Sequence, residues 1–177
     1  MDEKIERSRY IVLGCTSGIL AILGVVTGAS VSENTTFIIY AALAGGLALS
    51  LANGVGSFIT VGDTELGKLS RLEKPLMRSL DNTKIEQHAK MKIRAHSFIH
   101  TVSCFVGSII PVLPFMFLDS RQLEVSMGIS IAALAILGIY WGRIMKQNMV
   151  LHSLRMAGAG TVIALTVNFF FRYLQMT

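Results

Sequence analysis

His96 and His100 stand four residues apart, so a helix presents both imidazoles on one face. Two neutral imidazoles on one face can hold a metal ion or relay a proton. They can equally lie at a membrane surface, touching headgroups and loop carbonyls, and the residues alone leave both readings open. A closed metal site needs further ligands. The candidates are Asp63, Glu65, Glu73, Glu86 and His88. His88 precedes His96 by eight residues, which keeps it on one face of a continuous helix. Asn53 and Asn168 are the other polar groups of note, because each falls inside an apolar block. An amide in hydrocarbon needs a partner, either a facing helix or a passing ion.

The elements that position these residues are apolar blocks. Of the 177 residues, 52% are hydrophobic and 15% charged, with a mean hydropathy of +0.58. A soluble domain carries about 25% charged residues. The expected class is an all-α, polytopic membrane protein, a single membrane domain over residues 1–177. Five blocks are long enough to span, at about 10–29, 36–61, 95–118, 123–142 and 154–171. A basic, cytoplasmic helical segment is expected over 62–94, read as two short amphipathic helices. Asp63-Thr64 caps the first and Pro75 interrupts it; Asp81-Asn82-Thr83 starts the second. The mixed-charge N-terminus leads straight into a block too long for a signal-peptide core, so it reads as the first span.

Basic residues fix the orientation. The N-terminus, the 62–94 segment and the region after span four carry 3, 8 and 3 Lys/Arg, leaving only Arg121 and Arg172 on the other side. That bias predicts a cytoplasmic N-terminus and a C-terminus outside or lumenal. The net charge of +5 is therefore a topology signal first and an anionic-lipid contact second, with no call for nucleic acid.

None of the 11 acidic residues lies well inside a span, although an intramembrane charge is the usual mark of a transport path. Gly14, Gly18, Gly24 and Gly28 punctuate the first span as small-xxx-small pairs that let helices approach closely. Pro111 and Pro114 break or bend the third span. The carbonyls freed there can line a cavity or be satisfied by neighbouring Ser and Thr. Cys15 and Cys104 read as small, reduced, buried side chains. No nucleophile elbow, phosphate loop, HExxH or CxxC is present, so no enzyme is expected.

The whole pattern resembles the vacuolar iron transporter (VIT) family. Gly14-Cys15-Thr16-Ser17-Gly18 with Gly28 is similar to its first helix, and Ala48-Leu49-Ser50-Leu51-Ala52-Asn53-Gly54 to its second. Asp63-Thr64-Glu65 is similar to the acidic start of its cytoplasmic segment. Gly107-Ser108-Ile109-Ile110-Pro111-Val112-Leu113-Pro114-Phe115, the most specific of these motifs, resembles its third helix. Leu154-Arg155-Met156 with Gly158 resembles the entry to its fifth. The resemblance implies five helices, a homodimer joined through the glycine-rich first helix, and exchange of Fe²⁺ or Mn²⁺ for protons. It implies metal as substrate and no resident cofactor.

This chain departs from the family at the metal-handling positions. Ser17 replaces the helix-one Asp, Leu51 the helix-two Met, and the cytoplasmic segment is short, basic and holds three Glu. Serine does not supply the charge that offsets cation dehydration, and leucine offers no soft donor. The expected substrate path is Ser17, Leu51 and Asn53, with His96, His100, Glu65, Glu86 and His88 as substitute metal ligands. The alternative is a relative that carries no metal, serving as a membrane scaffold or moving another small solute. Integral membrane localisation is expected, in a prokaryotic cell membrane, with lipids as the surrounding partner.

Overall fold

A computed structural model describes residues 3–32, 34–76, 83–118, 120–146 and 148–176. Among the described residues six α-helices follow one another: α1 (Glu3–Ala29), α2 (Thr35–Leu76), α3 (Lys84–Ile109), α4 (Leu113–Phe117), α5 (Gln122–Ile144) and α6 (Met149–Met176). No strand occurs among the described residues. The all-helical class is as expected. Helices α1, α2, α5 and α6 are each long and apolar enough to cross a membrane.

α1 is the central element, packing against α2, α3, α5 and α6. Its Ile19, Ile22, Leu23 and Val26 are all 1% exposed or less. Ile22 and Val26 share a core with Ile38 and Ala42 of α2 and with Val112 and Phe115 beside the proline motif. α5 and α6 pair along their length, and Gly138 and Gly142 let the backbone of α6 at Met149 and Ser153 come close.

Gly14 and Gly18 do not lie on an outer face. A Cβ at Gly14 would sit 2.7 Å from the His100 carbonyl oxygen, and one at Gly18 would collide with the Cys104 carbonyl. From the other side, a Cβ at Gly107 would lie 2.5 Å from the Cys15 carbonyl oxygen. The small-residue stripe therefore seats α1 on α3 within one chain. Gly24 faces α6 at Val167 and Ile163.

One expectation about the elements needs correcting. α2 is one continuous helix of 42 residues, about 63 Å at 1.5 Å per residue, twice a hydrocarbon core of about 30 Å. No boundary falls at Asp63-Thr64. The Thr64 hydroxyl donates back to the Thr60 carbonyl at 2.8 Å instead of capping a new helix. Gly62 has open space around its Cα, so nothing there demands a turn. Leu69 of this extension packs against Ala89 of α3, making a helical hairpin of the basic segment. α2 ends at Leu76, one residue past Pro75. Asp81 and Asn82 lie outside the described residues, while Thr83 is the N-cap of α3, accepting from the Glu86 amide at 3.4 Å.

Over the stretch 95–118 the prolines break the helix, one of the two outcomes expected of them. α3 stops at Ile109, residues 110–112 turn, and α4 resumes for five residues with Pro114 in its first turn. Proline supplies no N–H and its ring clashes with the preceding turn, so the break falls where Pro111 dictates. The freed Pro111 carbonyl accepts a hydrogen bond from Ser126 Oγ of α5 at 2.6 Å. Of the two roles open to it, this carbonyl takes the structural one. Ser126 is fully buried.

Candidate functional site

α3 carries a ladder at four-residue spacing: His88, Lys92, His96, His100 and Cys104. Each step advances one helical turn, so the ladder winds slowly round the face that α3 turns to α1 and α2. His88 is exposed, Lys92 partly buried, and His96, His100 and Cys104 are buried.

The upper rung is an ion cluster between three helices. Lys92 Nζ lies 2.6 Å from Glu6 of α1 and 3.3 Å from Glu65 of α2. Lys68 reaches the same Glu65 carboxylate at 2.6 Å. Burial raises the Glu65 carboxyl, but the hydrogen bond from Lys68 and the Lys92 charge outweigh it and hold it below the ordinary carboxylate range. Burial lowers Lys92, and the Glu6 and Glu65 carboxylates reverse this and raise it.

One turn deeper, Tyr10 of α1 stacks on His96, with ring centroids 4.7 Å apart and planes 25° apart. The same ring meets His100 tilted, at 6.2 Å. Neither nitrogen of His100 has a hydrogen-bond partner, and His96 Nδ1 has none. Buried polar atoms are normally paired, so these nitrogens set the two histidines apart from most of the buried polar groups.

His100 opens onto a groove of about 290 Å³ between α1 and α2, lined also by Arg9 at its mouth and by Tyr10, Leu13, Asn53, Ser57 and Thr60. Ser57 Oγ is buried there and likewise unpartnered. At the inner end, Asn53 Nδ2 donates to Ser17 Oγ at 3.2 Å and approaches Cys104 Sγ at 3.3 Å. Ser17 donates to the Gly14 carbonyl at 2.9 Å. One amide thus ties α1, α2 and α3 at mid-helix.

The sequence-derived candidates sort clearly. Ser17 and Asn53 touch, and Asn53 shares the groove with His100. Leu51 points away and is 63% exposed on the outer face of α2. Glu65 is engaged by two lysines, and Glu86 by Lys90 at 2.6 Å on its own helix. His88 and His96 line a small separate cavity. Asp63 is exposed, and Glu73 lies further along the α2 extension. Among the described residues, no three of His, Cys, Asp and Glu converge as metal ligands would. Four contributors escaped sequence reasoning: Tyr10, Ser57, Lys92 and Cys104. The signal that could have found two of them is the ladder itself, since Lys92 and Cys104 extend the histidine spacing by one turn at either end.

The sequence profile described as the VIT family matches residues 72–171, which include the ladder and the Gly107–Phe115 motif. An uncharacterized protein of the archaeon Methanocaldococcus jannaschii is 35% identical over 162 residues, covering 89% of this chain and 85% of the relative. With a profile match across more than half the chain and a near full-length relative at that identity, the chain belongs to the VIT family.

Proposed function

We propose that this chain is the subunit of a membrane transporter that passes a divalent metal cation, Fe²⁺ or Mn²⁺, along the groove between α1 and α2. The observation that carries the reading is His100: a buried imidazole with both nitrogens unpartnered, opening on a groove that also holds Asn53 and the unpartnered Ser57 hydroxyl. Imidazole nitrogen and amide or hydroxyl oxygen suit a divalent first-row cation. The path runs past Ser17 and Asn53 in place of an intramembrane carboxylate, and His96 shares the proton traffic of a coupled exchange.

The topology in this reading has five spans. From Ala95, the remaining fifteen residues of α3 rise about 22 Å and α4 adds about 7 Å, close to the ~30 Å of a hydrocarbon core. The N-terminus and the α2–α3 hairpin are cytoplasmic and the C-terminus lies outside, in a prokaryotic cell membrane. A homodimer forms on the faces of α1 and α2 that carry Leu13, Leu51 and Val55, exposed at 52%, 63% and 63%. The Gly14 and Gly18 side of α1 is occupied by α3, so its leucine side makes the dimer contact, and the second copy closes the groove. The chain acts as a carrier and not as an enzyme.

A second reading follows from the absence of a three-ligand cluster among the described residues. In it the chain keeps the architecture and moves a neutral solute, or serves as a scaffold. Uptake of Fe²⁺ and Mn²⁺ into proteoliposomes under a pH gradient separates the two. The metal reading expects saturable uptake that His100→Ala lowers at least about tenfold, the loss of one good ligand. No uptake, or uptake indifferent to His96→Ala with His100→Ala, supports the second reading.

A further inference from the structure

The groove between α1 and α2 has the wrong charge for a bare cation. Its charged wall residue is Arg9, exposed at the mouth, and among the described residues no Asp or Glu lines it. Glu6 and Glu65 lie one helical turn beyond Tyr10 and Val61 of the groove wall, but Lys92 takes both and Lys68 also engages Glu65. The remaining polar wall is neutral. His100 and Ser57 are each 8% exposed, and neither imidazole nitrogen nor the serine hydroxyl has a partner. Asn53 sends its Nδ2 inward to Ser17 at 3.2 Å, which leaves its Oδ1 for the groove.

Neutral ligands of this kind do not offset the cost of taking a double positive charge out of water, and Arg9 adds a third positive charge. The space also exceeds what an ion fills. At ~30 Å³ per water, 290 Å³ admits about ten waters. A negative charge must therefore come in with the cation, and the groove has both the room and the cationic mouth to receive it.

We propose that the groove takes its divalent cation paired with a small dicarboxylate, which Arg9 holds and which supplies the charge that no wall residue provides. One carboxylate occupies the planar fork of the Arg9 guanidinium. The other end of the anion ligates the cation, whose protein ligands are a His100 nitrogen and Asn53 Oδ1. The Ser57 hydroxyl donates to a carboxylate oxygen. Such a pair presupposes the metal reading of the groove and adds that the counter-charge is brought in, not built in.

The test uses the full-length protein in neutral detergent, titrated with Mn²⁺ in chloride or in oxalate of equal ionic strength. Loss of the free Mn²⁺ paramagnetic resonance signal reports binding, compared at equal free Mn²⁺. Oxalate is expected to tighten Mn²⁺ binding by the parent about tenfold, the value of one charge-assisted contact. Arg9→Gln should abolish that gain, yet in chloride it should bind Mn²⁺ at least as tightly as the parent, because a repelling charge is gone. Arg9→Lys, which keeps the charge and loses the fork, should keep part of the gain. In proteoliposomes of the parent, labelled oxalate should enter only when Mn²⁺ is present. Parental Mn²⁺ binding indifferent to oxalate, or an undiminished gain in Arg9→Gln, would overturn the pairing and leave the metal reading standing. Loss of binding in both media by Arg9→Gln and Arg9→Lys alike would make Arg9 a structural residue and overturn the pairing too. No Mn²⁺ binding by the parent in either medium would overturn both.

Discussion

The single residue that does most in this molecule is Asn53. Its amide joins Ser17 of α1 and Cys104 of α3, and it faces the groove on the same helix. Interhelical hydrogen bonds in membrane proteins average about 0.6 kcal/mol and reach about 1.7. Asn53→Ala should therefore lower stability by roughly 1 kcal/mol, measurable as a drop in unfolding midpoint in detergent. On the transport reading it should lower metal uptake far more than that loss of stability explains. A variant that melts earlier yet transports at the parental rate confines Asn53 to packing.

Lys92 is the second decisive residue, and its sign can be worked out. The Glu65 carboxyl is lowered, so its share of stability is present above the ordinary glutamate value and lost as pH falls through the folded one. Lys92 is raised, so its share is present below the ordinary lysine value and lost as pH rises through the folded one. The cluster's contribution is flat between about pH 4.3 and about pH 10.4. Lys92→Met leaves Glu6 and Glu65 facing each other without the bridging ammonium, at an expected loss of about 1–3 kcal/mol. The gap in melting temperature between parent and variant should hold steady across neutral pH and narrow in acid. A gap that widens in acid contradicts the pairing.

Among the elements, the α3–α4 break gives the sharpest expectation. Ser126→Ala leaves the Pro111 carbonyl buried without its donor and should cost about 1–3 kcal/mol. Ser130, one turn on and as deeply buried, bonds only to the Ser126 carbonyl within α5, so Ser130→Ala should change the unfolding midpoint much less. Equal effects would mean that the turn at residues 110–112 is held by packing alone. Gly18→Leu should do more harm than either, because the Cys104 backbone already occupies the space of its Cβ.

Element by element, long apolar blocks, the Pro111 break and the Thr83 cap were legible because each rests on local chemistry. Ser17 and Asn53 were legible as polar groups needing partners, though not as partners of one another. The continuity of α2 was not, because Gly62-Asp63-Thr64 carries a helix-start pattern that a helix interior tolerates when it projects beyond the apolar core. Nor was the use of Gly14 and Gly18. A small-residue stripe announces close approach without saying whether the neighbour belongs to the same chain. The groove was invisible for a related reason: it joins residues 10, 53, 57 and 100, which only the packing of three helices brings together.

At the scale of the whole molecule, the open question of how many times the chain crosses has a direct answer in labelling. Among the described residues four helices are long and apolar enough by themselves, and the uncharged part of α3 from Ala95 reaches the needed length only together with α4. If that pair crosses, Arg121 and Lys84 lie on opposite sides of the membrane, and Lys146 returns to the side of Lys84. If it does not, Arg121 shares the side of Lys84 and Lys146 lies opposite. Charge favours crossing, since Arg143, Lys146 and Arg155 then join the basic side with the α2–α3 hairpin. Single cysteines at these three positions, in a chain with Cys15 and Cys104 replaced by Ala, can be probed with an impermeant maleimide on intact and then lysed cells. Arg121→Cys should react on intact cells, and Lys84→Cys and Lys146→Cys only after lysis. Reaction of Lys146→Cys on intact cells, with Arg121→Cys protected, would reduce the chain to four spans and place α3 and α4 on the cytoplasmic side. His96 and His100 would then lie outside the bilayer, and the groove reading would fall with them.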